Sequence, residues 1–114
     1  MEKESTSSDN LIMWEVYVPT MSNAHVPFRT KFHKYWDSKV RKVSGGLTVF
    51  KPAVGQWVSP AGTLFKERMI PVRIMCTAAQ MDKIADITAA HYDQIAILYF
   101  KVGEGKIKHY SSKK

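Results

Sequence analysis

Cysteine occurs once in this chain, at Cys76. A single thiol excludes an intramolecular disulfide and fits a reducing, cytoplasmic setting. Long apolar runs are also missing. The longest, Ile95–Phe100, falls far below the roughly 20 residues a helix needs to cross a bilayer, so no membrane partner is expected. No N-terminal stretch joins a basic end, an apolar run and a small-residue cleavage site, so no secretory signal is read. Neither Gly-x-Gly-x-x-Gly nor a Walker-type loop occurs, which removes the common phosphate cradles. His25, His33, His91 and His109 lack metal-ligand spacing, and His33 with Asp37 one helical turn on makes only two ligands. No metal and no cofactor is expected.

Acidic residues are the other scarcity. Ten Asp and Glu stand against 17 Lys and Arg, giving a formal charge of +7 and a pI near 9.6. Such a balance favours an anionic partner: a nucleotide, a nucleic acid or an acidic protein surface. The cations cluster. From Arg29 to Lys51 come Arg29, Lys31, Lys34, Lys39, Arg41, Lys42 and Lys51 with Asp37 as the sole acid, and Lys101, Lys106, Lys108, Lys113 and Lys114 face Glu104 alone. A solvated helix face and a solubility tail account for the same pattern.

What is present reads as one small α+β domain. Residues 1–10 hold no apolar side chain after Met1 and form an expected flexible leader, with the domain at 11–110 and a basic tail at 111–114. From Leu11, Trp14, Val16 and Val18 alternate with Met13, Glu15 and Tyr17 until Pro19, a strand pattern. Pro27 suits the first turn of a helix. Phe28, Phe32, Tyr35, Trp36, Val40 and Val43 follow as one stripe of that helix, which Gly45-Gly46 ends. Leu47–Ala53 is a second strand; Gln56–Val58 continues extended into a turn at Ser59–Gly62. The returning strand alternates Ile70, Val72, Ile74 and Cys76 with Pro71, Arg73 and Met75. Thr77 and Gln80 have capping-box spacing before a helix buried through Met81, Ile84, Ala85, Thr88 and Tyr92. Ile95–Val102 is the last strand, and Lys106–Tyr110 can add a short C-terminal hairpin.

The order β-α-β-β-α-β is the ferredoxin-like split β-α-β, with two helices on one face of a four-stranded antiparallel sheet and the first and third strands central. Alternation assigns Met13, Glu15, Tyr17, Arg73, Met75, Ile97, Tyr99 and Lys101 to the uncovered face. Tyr17, Arg73, Met75, Tyr99 and Lys101 are the candidate ligand or interface residues there: tyrosines stack bases and cations meet phosphates, while Met, Tyr and Arg are also enriched in interface cores. Ile97–Val102 lacks the glycine of the RNA-recognition signature. A second candidate is a polar pocket with an aromatic wall at the hairpin mouth, from Gln56, Trp57, Glu67 and Arg68. Cys76, on the apolar side of a strand, reads as an inert thiol, and no catalytic residue is assigned.

With Gly46-Leu47-Thr48-Val49 and Gly55-Gln56-Trp57 in place, the chain resembles a family of small uncharacterised proteins of bacteria and phages. In that family a Gly-Leu-Thr strand, a Gly-Gln-Trp corner and a second amphipathic helix recur in this order. The resemblance spans about residues 14–102 and implies a ferredoxin-like fold; it supplies no catalytic residue. A phage or mobile-element origin would favour a protein that binds and blocks a host factor or signalling nucleotide. The leading expectation is a non-enzymatic binding protein, homodimeric through its open sheet face, meeting an anionic partner through Arg29, Lys34, Arg41 and Lys42. The alternatives are a small dimeric α+β-barrel enzyme with Tyr17, Arg73 and Tyr99 lining a cavity, and non-specific nucleic-acid binding.

Overall fold

A computed structural model describes residues 11–111; the expected leader and the end of the basic tail lie outside the described residues. The elements are β1 (Ile12–Pro19), α1 (Thr30–Ser44), β2 (Thr48–Val49), β3 (Ala53–Val58), β4 (Leu64–Cys76), α2 (Ala78–Tyr92) and β5 (Tyr99–Glu104). The sheet is antiparallel in the order β2-β4-β1-β5, with β3 also paired to β4, which is the ferredoxin-like arrangement. β4 is 13 residues long and does two jobs. Its second half lies against β1, from Pro19↔Met69 to Ile12↔Cys76. Its first half leaves the body as a hairpin with β3, from Ala53↔Met69 to Val58↔Leu64. The molecule is accordingly elongated, 56 × 31 × 22 Å.

The expected second strand is divided. Only Thr48 and Val49 pair with the body of β4, and the chain resumes pairing at Ala53. Pro52, which lacks an N–H, stands in the interruption. The expected C-terminal hairpin does not form: residues 106–111 have no regular structure, although the Gly105 N–H donates to the Leu11 carbonyl. Pro27 is not in the first turn either. It bridges Met21, and α1 begins three residues later behind Arg29, whose side chain makes no cap.

α1 forms because Phe32, Trp36, Val40 and Val43 recur on one face, and Gly45 ends it at φ 87°, a left-handed conformation that costs glycine little. Tyr35 departs from the expected stripe and is 56% exposed. It lies about 100° around the helix from Trp36, and the indole takes the buried position. In α2 the capping box is complete: the Gln80 N–H donates to Thr77 Oγ1 at 3.2 Å and the Thr77 N–H to Gln80 Oε1 at 2.9 Å. Gln80 Nε2 then donates to the Val43 carbonyl, tying the start of α2 to the end of α1.

The core lies between helices and sheet. Val16, Val18, Val72, Ile74 and Cys76 meet Trp36 and Val40 of α1 and Met81, Ile84 and Tyr92 of α2. Polar atoms caught there are paired. Trp36 Nε1 donates to Thr88 Oγ1 at 3.0 Å, and the same hydroxyl donates to the Ile84 carbonyl. Thr88→Val should therefore strand the indole N–H and lower unfolding free energy by about 1–3 kcal/mol, read by urea titration, while Thr88→Ser should recover most of the loss.

A second contact between the helices responds to pH. His33 Nδ1 lies 2.6 Å from the Tyr92 hydroxyl. His91 stacks on Phe32 and holds its carbonyl through Nε2, while Lys39 Nζ sits 3.2 Å from Nδ1. An ammonium only donates, so His91 is the neutral tautomer with its proton on Nε2. Burial lowers the pKa of both histidines below the ordinary 6.5; for His33 the neighbouring Asp37 opposes this, and for His91 the Phe32 carbonyl does. A lowered folded pKa gives stability that is present above 6.5 and lost as pH falls through the folded value. The melting temperature should fall between about pH 7 and about pH 5.5, and the double variant His33→Gln/His91→Gln should show a flatter profile. The Asp37 carboxyl, raised by burial, acts with opposite sign.

Candidate functional site

Register fixes which side chains share the uncovered face. The unbroken β4 ladder sends Val72, Ile74 and Cys76 into the core and Pro71, Arg73 and Met75 to the other side, opposite Tyr17, Glu15 and Met13. Arg73 Nε donates to Glu15 Oε1 at 2.8 Å; the glutamate side chain is 11% exposed and the arginine 41%. The Phe50 ring lies 5.5 Å from the guanidinium, and Tyr17 packs on Phe100 at 6.0 Å. Burial, then the hydrogen bond to Glu15, raise the Tyr17 phenol above its ordinary 10. The face is thus a polar pair enclosed by aromatic rings.

Tyr99 and Lys101 are not on it. β5 registers as Val16↔Tyr99, Glu15↔Phe100 and Trp14↔Lys101, so Tyr99 and Lys101 stand on the helix side with Trp14 and Val16. Tyr99 meets Trp14 edge-on at 5.8 Å, and Ile97 also packs against the core. Phe100 takes the place expected for Tyr99. Both alternating sets of residues 97–102 are apolar enough to be buried, so alternation alone does not choose between them.

The hairpin separates the four residues expected at its mouth. Trp57 opposite Phe65 and Gly55 opposite Glu67 share one face; Gln56 opposite Lys66 and Val54 opposite Arg68 share the other. Trp57 does not pack beneath a loop. It is 49% exposed and stacks on Phe65 at 4.5 Å. A methyl group on Gly55 would lie 2.6 Å from the Met69 methyl carbon, so the flexible end of Met69 would have to swing aside. Val54, Val58, Leu64 and Phe65 are exposed as well. Within the described residues the outer edge of β3 pairs with nothing, and β4 has no β1 partner below Met69.

Where β1 stops, a groove of about 460 Å³ opens between the base of the hairpin, the loop after β1 and the segment before β5. Tyr17, His25, Lys66, Glu67, Arg68 and Gln94 are among its lining residues. Its loop wall is held by short polar bonds. Ser22 Oγ accepts from the N–H groups of Ala24 and Val26, Asn23 Nδ2 donates to the Asp93 carbonyl, and Thr20 Oγ1 donates to the Arg68 carbonyl. Met21–Pro27 reads as a loop in the sequence, and its Ser-Asn pair is a turn signal, but nothing local shows that it walls a groove. Arg29, Lys34, Arg41 and Lys42 are all exposed, the last three along α1. Cys76 is buried and its thiol is pushed up to about 11 by desolvation, an unreactive state. Among the described residues no three metal-ligating side chains gather, and no helix is long and apolar enough to cross a membrane.

No protein-family model and no curated protein sequence matches the chain. The Gly-Leu-Thr and Gly-Gln-Trp resemblance thus rests on those motifs alone. Solved structures do match in fold. CutA1 from Oryza sativa has a TM-score of 0.63 at 11% identity, over 92% of this chain and 86% of that one. The divalent cation tolerance protein CutA1 of Thermus thermophilus has 0.61 at 9%, over 84% and 87%. A phage SAM lyase in complex with S-methyl-5'-thioadenosine has 0.63 at 11%, over 96% and 91%. At such identities these likenesses establish the ferredoxin-like fold and nothing further.

Proposed function

We propose that this chain is a homo-oligomeric binding protein, joined through the β3–β4 hairpin and the adjoining open sheet face, that meets an anionic partner through α1. The observation that carries the self-association is the hairpin. A bare two-stranded hairpin is marginal in water, and β3 presents an edge with no charge and no proline between Ala53 and Val58, the devices that usually keep an edge from pairing. Val54, Trp57, Val58 and Leu64 are 49–62% exposed, more apolar surface than a monomer normally leaves open. A second copy paired along the β3 edge satisfies its open backbone groups and continues both hairpin faces, with Trp57 on one and Val54, Val58 and Leu64 on the other. Trp57→Asp with Val58→Lys should shift the mass in light scattering to the 13.0 kDa of one chain while the thermal melt of the body persists. A wild-type chain that is already monomeric at micromolar concentration would sink the reading.

A second reading, an enzyme acting on an S-adenosyl substrate, is favoured by the phage SAM lyase, which matches over nearly the full length of both chains. The groove is large enough for a nucleoside, and the Glu67 carboxylate at its wall has the charge to face a sulfonium. Incubation with S-adenosylmethionine should then release S-methyl-5'-thioadenosine by mass-detected chromatography, and Glu67→Gln should cut the rate at least about ten-fold, the scale of one lost electrostatic partner. Absence of the thioether product over the buffer control refutes the enzyme and leaves the binding reading standing.

A further inference from the structure

The exposed side of α1 has a composition its own stability does not explain. Lys31 and Lys34 lie near the helix N-terminus, where the macrodipole disfavours cations, with no acid in the first turn and no side-chain cap. Arg41 and Lys42 continue the positive charge into the last turn, where they suit the dipole. Among the described residues none of these four closes an ion pair; Asp37 acts on Lys34 and Arg41 only at a distance. Tyr35 stands at the edge of this set, about 20–40° around the helix from Lys31 and Lys42 and about 100–120° from Lys34 and Arg41; it is 56% exposed, with Lys31 Nζ 6.0 Å from its ring centroid. Lys39 is excluded from the set because it is engaged with His91.

We infer that this face binds single-stranded nucleic acid, with Lys31, Lys34, Arg41 and Lys42 taking phosphates and Tyr35 stacking on a base. The inference rests on the reading of α1 as an anionic-partner face and deepens it. From Lys31 to Lys42 the stripe runs about 17 Å along the helix, a track for several phosphates of one strand. Phosphates there offset the unfavourable charge at the N-terminal end. An outward phenol among cations offers a ring face that unstacked bases can use whatever their sequence, whereas bases stacked within a duplex present only their edges. An acidic protein surface would satisfy the cations and use the tyrosine only as contact area, without the stacking that an unpaired base provides.

The test is fluorescence anisotropy of a labelled 20-nucleotide oligothymidylate, its duplex with oligoadenylate, and polyglutamate, with the full chain in 50–300 mM NaCl. The single strand should bind best. Its affinity should fall with a log–log salt slope of about −3, four phosphates at about −0.7 each. Tyr35→Ala should weaken it roughly ten-fold, the low-to-middle range for one stacked base, and Lys31→Glu with Lys42→Glu should abolish it. All three positions are exposed, and thermal melts verify that the variants fold. No binding of any probe at 50 mM salt overturns both this inference and the anionic-partner reading. Polyglutamate or duplex bound as tightly as the single strand, or Tyr35→Ala binding like wild type, overturns the inference alone.

Discussion

One strand governs this molecule. β4 begins as half of a hairpin with β3 and runs on into the body against β1, with no break in its pairing. Its alternation is therefore set where it is buried: Val72, Ile74 and Cys76 must face the helices, so Arg73, Met75 and Pro71 must face away. The same alternation runs on to Glu67 and Phe65 outside the core. Core packing thus orients side chains that never touch it, and both the open face and the groove inherit their geometry from three buried residues.

The two faces of the sheet solve their polar problems differently. Beneath the helices the buried polar atoms are neutral and closed locally, as in Trp36 with Thr88 and Trp14 Nε1 with the Cys76 carbonyl. On the other face a charged pair is accepted: Glu15 is nearly buried because Arg73 and the rings around it cover it. A paired carboxylate contributes little net stability, but stripping its partner is costly. Such a pair defines how β1 and β4 present themselves more than it strengthens the fold.

Much of this was legible in the sequence, and each failure has a physical cause. The capping box at Thr77, the left-handed stop at Gly45 and the strand order followed from local chemistry that only one conformation satisfies. The odd and even residues of β4 were assigned correctly because one set was polar or proline and the other aliphatic. For residues 97–102 both sets carry two or more large apolar or aromatic side chains, and Tyr99 was placed on the wrong side. Tyr35 was read into a helical stripe already filled by Trp36 and Val40. The hairpin mouth misled for a different reason: nearness in sequence suggested that Gln56 and Trp57 act together, whereas neighbours in a strand point apart. Met21–Pro27 was legible as a loop, but its place in the groove was not, because its order comes from bonds to Asp93 and Arg68, which no local pattern reveals.

The tip of the hairpin has a consequence for how such a chain can change over time. The turn at residues 59–62 closes on itself, through the Gly62 N–H to the Ser59 carbonyl and the Ser59 N–H to the Thr63 carbonyl. Residues gained or lost one from each strand beside that turn alter the reach of the arm and leave every remaining pair opposite its old partner. A single residue gained in one strand alone turns the rest of that strand over and exchanges its aromatic and polar sides. The arm can lengthen or shorten in whole rungs, so its reach can drift between lineages while the body that carries it stays the same.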